Sequence, residues 1–329
     1  MPDPKAIPGE ALTAALQRWG LTLYQGIPLA RFTTARIGGP ADALVIVEDI
    51  QALADVVWGA WADGTPVTLL GGGSNVLIAD RGVRGLVVLN RARTVRFETA
   101  GRVWAASGVL LPTLARLCAE RGWSGLEWAI GVPGTVGGAV VGNAGAHGED
   151  IASCLESVEL LLPEEGPVTW RAEQLALGYR TSRLKTWPRT PRPVVLAARF
   201  ALRPGDPEAL LERMAAFNAY RRRTQPGGAS IGSMFRNPPG DYAGRLIEAA
   251  GLKGARRGGI VISTLHANFF INEGGGTAAD VRALMAEVQR RVWEQFGVLL
   301  EPEIEFVGEW EDETTDPGGC VVRREIGGA

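Results

Sequence analysis

Residues 131–148 read GVPGTVGGAVVGNAGAHG and place seven glycines in eighteen positions with no lysine, arginine, aspartate or glutamate. An ordered glycine-rich backbone costs conformational entropy, and a disordered linker would normally be more polar. The interspersed valines, among them Val136 and Val140, therefore predict a packed segment. We expect its backbone to lie close to a flat or bulky group, for which a flavin ring with its diphosphate is suitable. Close strand packing without a ligand is the alternative.

Another glycine cluster lies upstream, at 71–75, and is called the first glycine cluster because it comes earlier in the chain. Residues 66–70 predict a short strand that runs into Gly71, Gly72, Gly73, Ser74 and Asn75. Backbone N–H groups hold a phosphate well, and the close approach that this requires favours residues without a side chain. The cluster therefore favours phosphate binding over a plain tight turn. The GGGTAA sequence at 274–279 also resembles a dinucleotide motif, but we interpret it as a loop and helix start.

Bulk composition excludes several classes of function. The 329 residues carry a net charge of −2 with a pI near 5.9, which gives no electrostatic basis for nucleic-acid or anionic-membrane binding. Cys118, Cys154 and Cys320 are far apart and lack metal-type spacing, so we expect no metal and a reducing, cytoplasmic compartment. Neither a signal peptide nor a membrane span is predicted.

Hydrophobic periodicity predicts alternating helices and strands along the chain. Helices are expected near 11–19, after a capping Asp49, at 206–223, at 242–250 and at 278–296. Composition shifts beyond Pro226, which indicates a domain boundary near 203–226. The residues after Gly308 are acidic and then glycine-rich, and we expect them to fray.

The sequence resembles the UDP-N-acetylenolpyruvoylglucosamine reductases (MurB) of peptidoglycan synthesis over about residues 31–308. The matching segments are TTARIGGPA (33–41), LGGGSNVL (70–77), GLEWAIGVPGTVGGAV (125–140), NAGA (143–146), YRTS (179–182), GSMFRNP (232–238) and EPEIEF (301–306). The glycine loops alone also resemble other FAD-linked oxidases. The last three segments, in this order, are specific to the reductases.

The resemblance implies an α+β protein with an FAD-binding domain of the FAD-linked oxidase type, made of two α/β subdomains, and a separate α+β substrate-binding domain. We place an N-terminal extension at 1–30, the FAD-binding domain at 31–202, the substrate-binding domain at 203–308 and a flexible tail at 309–329. The resemblance also implies noncovalent FAD, NADPH as hydride donor, and reduction of enolpyruvyl UDP-N-acetylglucosamine to UDP-N-acetylmuramate. The spacing between Ser233 and Glu303 resembles the shorter form of the family, which lacks an extra loop with a substrate-binding tyrosine.

By the same resemblance, Arg180, Ser233 and Glu303 are the expected catalytic residues. Hydride addition to an enolpyruvyl group develops negative charge beside the carboxylate, which Arg180 could stabilise with two donors. Ser233 is the expected proton donor, and Glu303 would assist protonation or hold the substrate carboxyl group. The alternatives are that Arg180 is a surface residue, that Ser233 is a polar turn residue, and that Glu303 lies inside a strand with a solvated acidic face.

The expected binding residues follow the same segments. Contacts to FAD are expected from Gly71, Gly72, Gly73, Ser74, Asn75, Gly131, Val132, Gly134, Thr135, Gly138, Asn143 and Gly145. Contacts to the UDP-sugar substrate are expected from Tyr179, Asn237, Lys253 and Asn268. We expect small-molecule partners only.

Two other functions remain open from the sequence. An FAD-dependent oxidase of a sugar or hydroxy acid could use the same fold, and it would turn over with oxygen and without nicotinamide. A nucleotide-binding regulatory module could keep the glycine loops, but it would not need Arg180, Ser233 and Glu303 together.

Overall fold

A computed structural model describes residues 8–310 of the chain. Its α-helices are α1 (Glu10–Arg18), α2 (Ile50–Ala62), α3 (Leu111–Ala119), α4 (Val136–Gly142), α5 (Pro207–Thr224), α6 (Ala243–Ala249) and α7 (Ala278–Phe296). Its strands are β1 (Leu23–Pro28), β2 (Pro40–Val47), β3 (Val67–Leu70), β4 (Val76–Ile78), β5 (Val83–Asn90), β6 (Val95–Phe97), β7 (Arg102–Ala106), β8 (Trp123–Ser124), β9 (Gly145–Ala146), β10 (Glu149–Asp150), β11 (Leu155–Leu162), β12 (Gly166–Arg171), β13 (Val194–Ala201), β14 (Arg203–Pro204), β15 (Ala229–Ser233), β16 (Arg256–Arg257), β17 (Ile260–Ile262), β18 (Phe269–Asn272) and β19 (Glu305–Val307).

The chain folds into two compact units that are not continuous in sequence. The described residues of the first unit are 8–25, 42–72 and 85–220, and those of the second unit are 26–41, 73–84 and 221–310. The predicted domains, divided at 202/203, are continuous in sequence. The two units are not, because each of them contains segments from the first 85 residues. The linear boundaries therefore stay a prediction.

The first unit is built on two sheets, each with its own core. One sheet has the order β1-β2-β5-β3, with β3 and β5 parallel. Its core packs strand residues such as Val45 and Val88 against α1 and α2 through residues such as Leu53. Asp49 begins α2 as predicted, because its Oδ1 accepts the N–H groups of Gln51 and Ala52.

The other sheet of the first unit has the order β12-β11-β13-β7-β6, and all of its pairs are antiparallel. Its core contains Leu114 of α3, Val140 of α4 and Phe200 of β13. Helix α4 lies inside the glycine-rich stretch and was not predicted as a helix. Glycine disfavours helix formation, so tertiary packing overrides local propensity here.

The second unit contains the antiparallel sheet β15-β18-β17-β16 and the parallel pair β4–β19. Helix α7 supplies Val281, Leu284 and Val288 to its core, which also includes Ile37 and Leu77 from the two early segments. Thr277 begins α7 with a capping box in which the Thr277 hydroxyl accepts the Asp280 N–H. This confirms the interpretation of the GGGTAA sequence as a loop and helix start.

Membrane spans, cysteines and the C-terminal tail were also subjects of prediction. None of the helices within residues 8–310 is long and apolar enough to cross a bilayer. Cys118 and Cys154 are buried free thiols. The predicted tail lies outside the described residues except for Glu309 and Trp310, and the Glu309 N–H donates to the Gly82 carbonyl at 2.9 Å.

Asp80 adds a long-range cap to α7. Its Oδ1 and Oδ2 accept the N–H groups of Ala278 and Ala279 at 2.8 and 2.9 Å. These N–H groups have no acceptor within the helix, and a carboxylate is stabilising beside them. Asp80 therefore joins an early segment of the second unit to its longest helix.

We predict that Asp80→Ala lowers the free energy of unfolding by about 1–2 kcal/mol, because two N–H groups lose their acceptor. Asp80→Asn keeps a side-chain oxygen and should lose less. Thermal unfolding of the two variants beside the wild-type protein measures the effect. Equal midpoints for Asp80→Ala and the wild type would contradict a stabilising cap.

Candidate active site

The two glycine clusters contact one another inside the first unit. A Cβ atom on Gly71 would lie 2.5 Å from Thr135 Oγ1, and one on Gly72 would lie 3.1 Å from the Cα atom of Gly134. No side chain fits at Gly71 unless Thr135 moves, so the bare backbone is a packing requirement there.

The backbone donors of this contact are available to a ligand. Among residues 8–310, no acceptor is found for the N–H groups of Gly71 and Gly72. Consecutive N–H groups without protein acceptors suit an anion, and the absence of side chains lets a phosphate approach the backbone. This arrangement fits the diphosphate of a flavin dinucleotide. A grouping of His, Cys, Asp or Glu that could hold a metal ion is not found among the described residues.

Within 131–148, some glycines serve packing and others leave space. The N–H groups of Val136 and Gly137 donate to the carbonyls of Val109 and Ser107, both at 2.9 Å. A Cβ on Gly137 would lie 3.0 Å from Ser107 Cβ, whereas one on Gly138 would meet nothing closer than Thr135 Oγ1 at 3.9 Å. Gly137 therefore permits close packing, and Gly138 leaves room for a bulky group.

Tyr179 and Arg180 form the tip of a two-residue turn in the first unit. Gly178 and Thr181 exchange backbone hydrogen bonds of 3.1 and 3.2 Å across its base. Arg180 has φ 56°, which is unusual for a residue with a side chain and is often found at functional positions. Its guanidinium lies 5.5 Å from the centre of the Tyr179 ring, and the Tyr179 side chain is exposed.

Three hydrogen bonds join this turn to the glycine-rich segment. Arg180 Nη2 donates to the Gly145 carbonyl at 2.8 Å, and Ser182 Oγ donates to the Val141 carbonyl at 2.6 Å. Asn143 Nδ2 donates to the Gly178 carbonyl at 2.9 Å. The glycine segment and the predicted catalytic arginine are therefore positioned as one assembly.

The side chain of Asn143 forms hydrogen bonds to other groups of the protein. It is buried in the left-handed conformation, with φ 41°. Besides Gly178, its Nδ2 donates to Asp150 Oδ2 at 3.0 Å, and its Oδ1 accepts the Ala152 N–H at 3.1 Å. Its side chain thus holds the Tyr179–Arg180 turn, and its predicted contact to FAD stays a prediction.

Other predicted cofactor residues lie around these contacts. Gly131 ends a short 3-10 helix, the Val132 N–H donates to the Ala129 carbonyl at 3.0 Å, and Gly145 forms β9. Gly73, Ser74 and Asn75 continue the first glycine cluster as part of the second unit.

The second unit brings Ser233 and Glu303 together. Ser233 ends β15, and the carbonyl of the next residue, Met234, accepts the Glu303 N–H at 2.9 Å. The Arg236 N–H donates to the Glu301 carbonyl at 2.9 Å, which adds a second bond between the two segments. Asn75 also reaches this place, because its Nδ2 donates to the Glu303 carbonyl at 3.3 Å. Glu303 precedes β19, rather than lying inside the strand as the sequence suggested.

Asn268 holds the segment that follows Ser233. It is buried, and its Oδ1 accepts the Phe235 N–H at 2.9 Å while its Nδ2 donates to the Phe235 carbonyl at 2.8 Å. Its own carbonyl accepts the Met234 N–H at 2.9 Å. The side chain therefore pairs with backbone as a neighbouring strand would.

The other predicted substrate contacts have protein partners. Asn237 Oδ1 accepts the Ala243 N–H at 3.1 Å near the start of α6, while the residue itself is exposed. Lys253 Nζ pairs with Glu248 Oε1 at 2.7 Å. Lys253 is half-buried, and the contacts of both residues to substrate stay predictions.

Comparison with known proteins identifies the relationship. Residues 41–170 match the FAD binding domain family, and residues 224–307 match the C-terminal domain of UDP-N-acetylenolpyruvoylglucosamine reductase. A reductase of this name from Rubrobacter xylanophilus is 50% identical over 86% of this chain and 94% of its own length. One from Chloroflexus aurantiacus is 43% identical over 87% of this chain and 98% of its own.

The chain belongs to the UDP-N-acetylenolpyruvoylglucosamine reductase family. A crystal structure of the reductase MurB from Thermus caldophilus supports this at the level of fold, with a TM-score of 0.72 and 37% identity over 87% of this chain and 98% of that one. Family membership confirms the predicted α+β fold, with an FAD-binding domain and a reductase C-terminal domain. It also favours the reductase over the oxidase alternative. Between Ser233 and Glu303 the family's C-terminal domain consists here of α6, β16, β17, β18 and α7.

Two residues that lie beside the glycine segments were not predicted from the sequence. Arg91 Nη1 donates to the Gly71 carbonyl at 2.8 Å, and Glu127 is a buried carboxylate at the start of the 3-10 helix that leads into the glycine segment. A signal for Arg91 existed, since it follows β5, and the carboxyl ends of adjacent parallel strands meet at one edge of a sheet. Glu127 had no comparable signal, because its partners are Ser124 Oγ, the Gly125 N–H and a distant arginine.

Glu127 remains charged although it is buried. Burial raises its pKa, but hydrogen bonds from its own backbone, the Gly125 N–H and Ser124 Oγ, with the charge of Arg213, outweigh burial and lower the pKa below its usual 4.5. The bonds from Ser124 and Gly125 measure 2.7 and 2.6 Å. A lowered pKa in the folded state means that ionised Glu127 stabilises the fold above about pH 4.5, and that this contribution is lost as the pH falls.

We predict that Glu127→Gln lowers the free energy of unfolding at pH 7 by about 1–3 kcal/mol, because charge-assisted hydrogen bonds become neutral ones. The deficit should shrink as the pH falls below about 4.5, because the charged form of Glu127 then contributes less to the stability of the fold. Thermal unfolding of both proteins at several pH values measures this. Glu120→Gln, which removes an exposed partner of Arg116, is the control and should change little. A deficit that stays constant with pH would contradict the ionised state.

Proposed function

We propose that Arg180, Ser233 and Glu303 carry the chemistry of the family's reaction in this chain. The protein is an FAD-containing oxidoreductase that uses NADPH to reduce UDP-N-acetylglucosamine enolpyruvate to UDP-N-acetylmuramate in peptidoglycan precursor synthesis. The observation that carries the assignment of residues is the bond from the Glu303 N–H to the carbonyl of Met234, because it holds Ser233 and Glu303 side by side.

FAD supplies the hydride chemistry of this reaction when it is bound, accepting hydride from NADPH and giving it to the substrate. The residues that would hold its diphosphate are Gly71 and Gly72, whose N–H groups have no acceptor among the described residues. Gly134, Thr135 and Gly138 surround the same place, and Gly138 leaves space for the cofactor. The predicted contacts from Gly131, Val132 and Gly145 belong to this proposal.

Arg180 is proposed to stabilise the negative charge that develops on the enolpyruvyl group. A guanidinium can direct two donors at a carboxylate, and a donor fixed before the reaction costs no reorganisation during it. The short turn, the two backbone bonds between Gly178 and Thr181 at its base, and the bond from Arg180 Nη2 to the Gly145 carbonyl provide that fixation.

Ser233 is proposed to deliver the proton that completes the reduction, with Glu303 as its neighbour. A serine hydroxyl is a weak acid, so it can protonate only a strongly basic carbon and needs its oxygen stabilised afterwards. The bonds from Glu303 to Met234 and from Asn75 to Glu303 fix the segment that carries the carboxyl group next to the strand that ends in Ser233.

We also propose that the enzyme acts in the cytoplasm on small molecules alone. The free thiols of Cys118 and Cys154 support a reducing compartment, and the net charge of −2 gives no basis for binding nucleic acid.

The test is anaerobic reduction of the purified flavoprotein by NADPH, followed by addition of the enolpyruvyl substrate. The flavin absorbance should bleach with NADPH and recover with substrate. Recovery with oxygen but not with the enolpyruvyl substrate would instead indicate the oxidase.

The same assay tests Ser233. We predict that Ser233→Ala leaves bleaching by NADPH within about twofold of wild type and slows recovery by about 100-fold or more, because only the second half-reaction needs the proton. Ser230→Ala, on the same strand, is the matched control and should change neither rate. Equal slowing of both half-reactions would contradict a proton-donating role.

Asn268 is proposed to act by positioning Ser233, because both of its side-chain polar groups are used by Phe235. We predict that Asn268→Leu lowers kcat by about 10- to 100-fold while the KM for the enolpyruvyl substrate stays within about threefold, since the groups affected are catalytic ones. Bleaching by NADPH should be unchanged.

Asn272→Ala is the matched control for Asn268, because Asn272 on β18 also bonds to backbone groups, namely the Ala35 carbonyl and the N–H groups of Gly274 and Gly276. It should lower stability without the kcat effect. A raised KM with normal kcat for Asn268→Leu would favour the substrate contact that the sequence suggested.

A further inference from the structure

Arg91 lies against the first glycine cluster, within the first unit. It directly follows β5, and β5 pairs in parallel with β3, which ends at Leu70. Arg91 Nη1 donates to the Gly71 carbonyl at 2.8 Å. One carbonyl of the glycine cluster is therefore turned towards a cation.

The backbone around Arg91 is firmly held. The Arg91 N–H donates to the Val47 carbonyl at 2.7 Å, and the Ala92 N–H donates to Asn90 Oδ1 at 3.0 Å. Asn90 is buried and its Nδ2 donates to Ser107 Oγ at 2.8 Å. The base of the Arg91 side chain is thus preorganised, which reduces the entropy cost of holding a ligand.

Within the described part of the chain, no carboxylate compensates the charge of Arg91. No carboxylate among residues 8–310 pairs with Arg91 or with Arg93. Burial lowers the pKa of Arg91, and the like charge of Arg93 lowers it further. A partly buried arginine usually has an anionic partner, so an anion from outside the chain would relieve both effects.

The donors beside Arg91 indicate which anion this is. Besides the free N–H groups of Gly71 and Gly72, Arg91 has donors on Nε and Nη2 with no acceptor among the described residues. Several donors and one positive charge next to backbone without side chains suit phosphate oxygens, and arginine can contact two of them at once. The open face at Gly138 belongs to the same unit.

We propose that Arg91 pairs with the diphosphate of FAD, and that its hydrogen bond to the Gly71 carbonyl aims the guanidinium at that group. The inference rests on FAD being the cofactor. It assigns the flavin diphosphate a side-chain cation in addition to the backbone donors of the glycine cluster.

The test uses the purified holoenzyme and the variant Arg91→Met. Flavin release on serial dilution gives the FAD dissociation constant, and displacement by excess riboflavin, which has no phosphate, gives the preference for FAD over riboflavin. We expect Arg91→Met to weaken FAD binding and to reduce that preference by about 10- to 100-fold, as loss of a charge-assisted bond implies. Arg91→Lys, which keeps the charge but not the fork, should lie between.

Arg93→Met is the matched control, because Arg93 is exposed, carries the same charge and has no hydrogen bond to the glycine cluster. It should retain FAD within about threefold of wild type, since an exposed charge is screened by solvent.

Four outcomes would overturn the inference. The first is an FAD affinity of Arg91→Met and Arg91→Lys equal to that of the wild type. The second is equal weakening of FAD and riboflavin binding in Arg91→Met, which would mean that Arg91 only shapes the loop. A raised KM for NADPH with normal FAD retention would assign Arg91 to the nicotinamide donor. A wild-type protein that binds no FAD would instead remove the cofactor assignment itself, so the two failures are distinguishable.

Discussion

The hydrogen bonds from Asn143, Ser182 and Arg180 to backbone carbonyls are the interactions on which the first unit's site depends. A backbone that must stay bare for a cofactor cannot be held through its own side chains. Its position must therefore come from residues elsewhere, and here it comes from the turn that carries Arg180. The proposed flavin-binding backbone and the proposed catalytic cation are therefore held by one set of bonds.

In the second unit, one amide side chain, that of Asn268, fixes the backbone of a functional segment. Ser233, the proposed proton donor, would need a defined direction, and it lies at the end of a strand, where backbone pairing stops. Asn268 continues the pairing by bonding to the N–H and carbonyl of Phe235, and the segment at Glu301–Glu303 bonds to Met234 and Arg236. Both sides of the chain after Ser233 are consequently fixed.

Features of the fold and of the candidate site that depend on neighbouring residues could be predicted from the sequence. The cap at Asp49, the start of α7 at Thr277 and the bare backbone at Gly71 follow from spacing and residue type. Motif order indicated the family and Arg180, Ser233 and Glu303 as candidates.

What the sequence could not supply depends on contacts between distant residues. Helix α4 forms despite three glycines, because its valines are part of the core of the sheet that contains β7 and β13. The use of Asn143 and Asn268 by backbone groups depends on residues 35 and 33 positions away. Residue type and position could suggest ligand contacts for these two asparagines, but they could not show that buried side chains also hold the backbone of distant segments.

The interleaved composition of the second unit has a consequence for its synthesis. Ala35, Ile37 and Leu77 leave the ribosome early, but most of the core that buries them lies beyond residue 221. At ordinary rates of translation, synthesis of the residues that complete that core takes on the order of tens of seconds more. The residues of the first unit, by contrast, have all been made by residue 220, so this unit is completed first. A nascent chain arrested near residue 220 thus carries the whole first unit together with apolar segments whose partners have not yet been made.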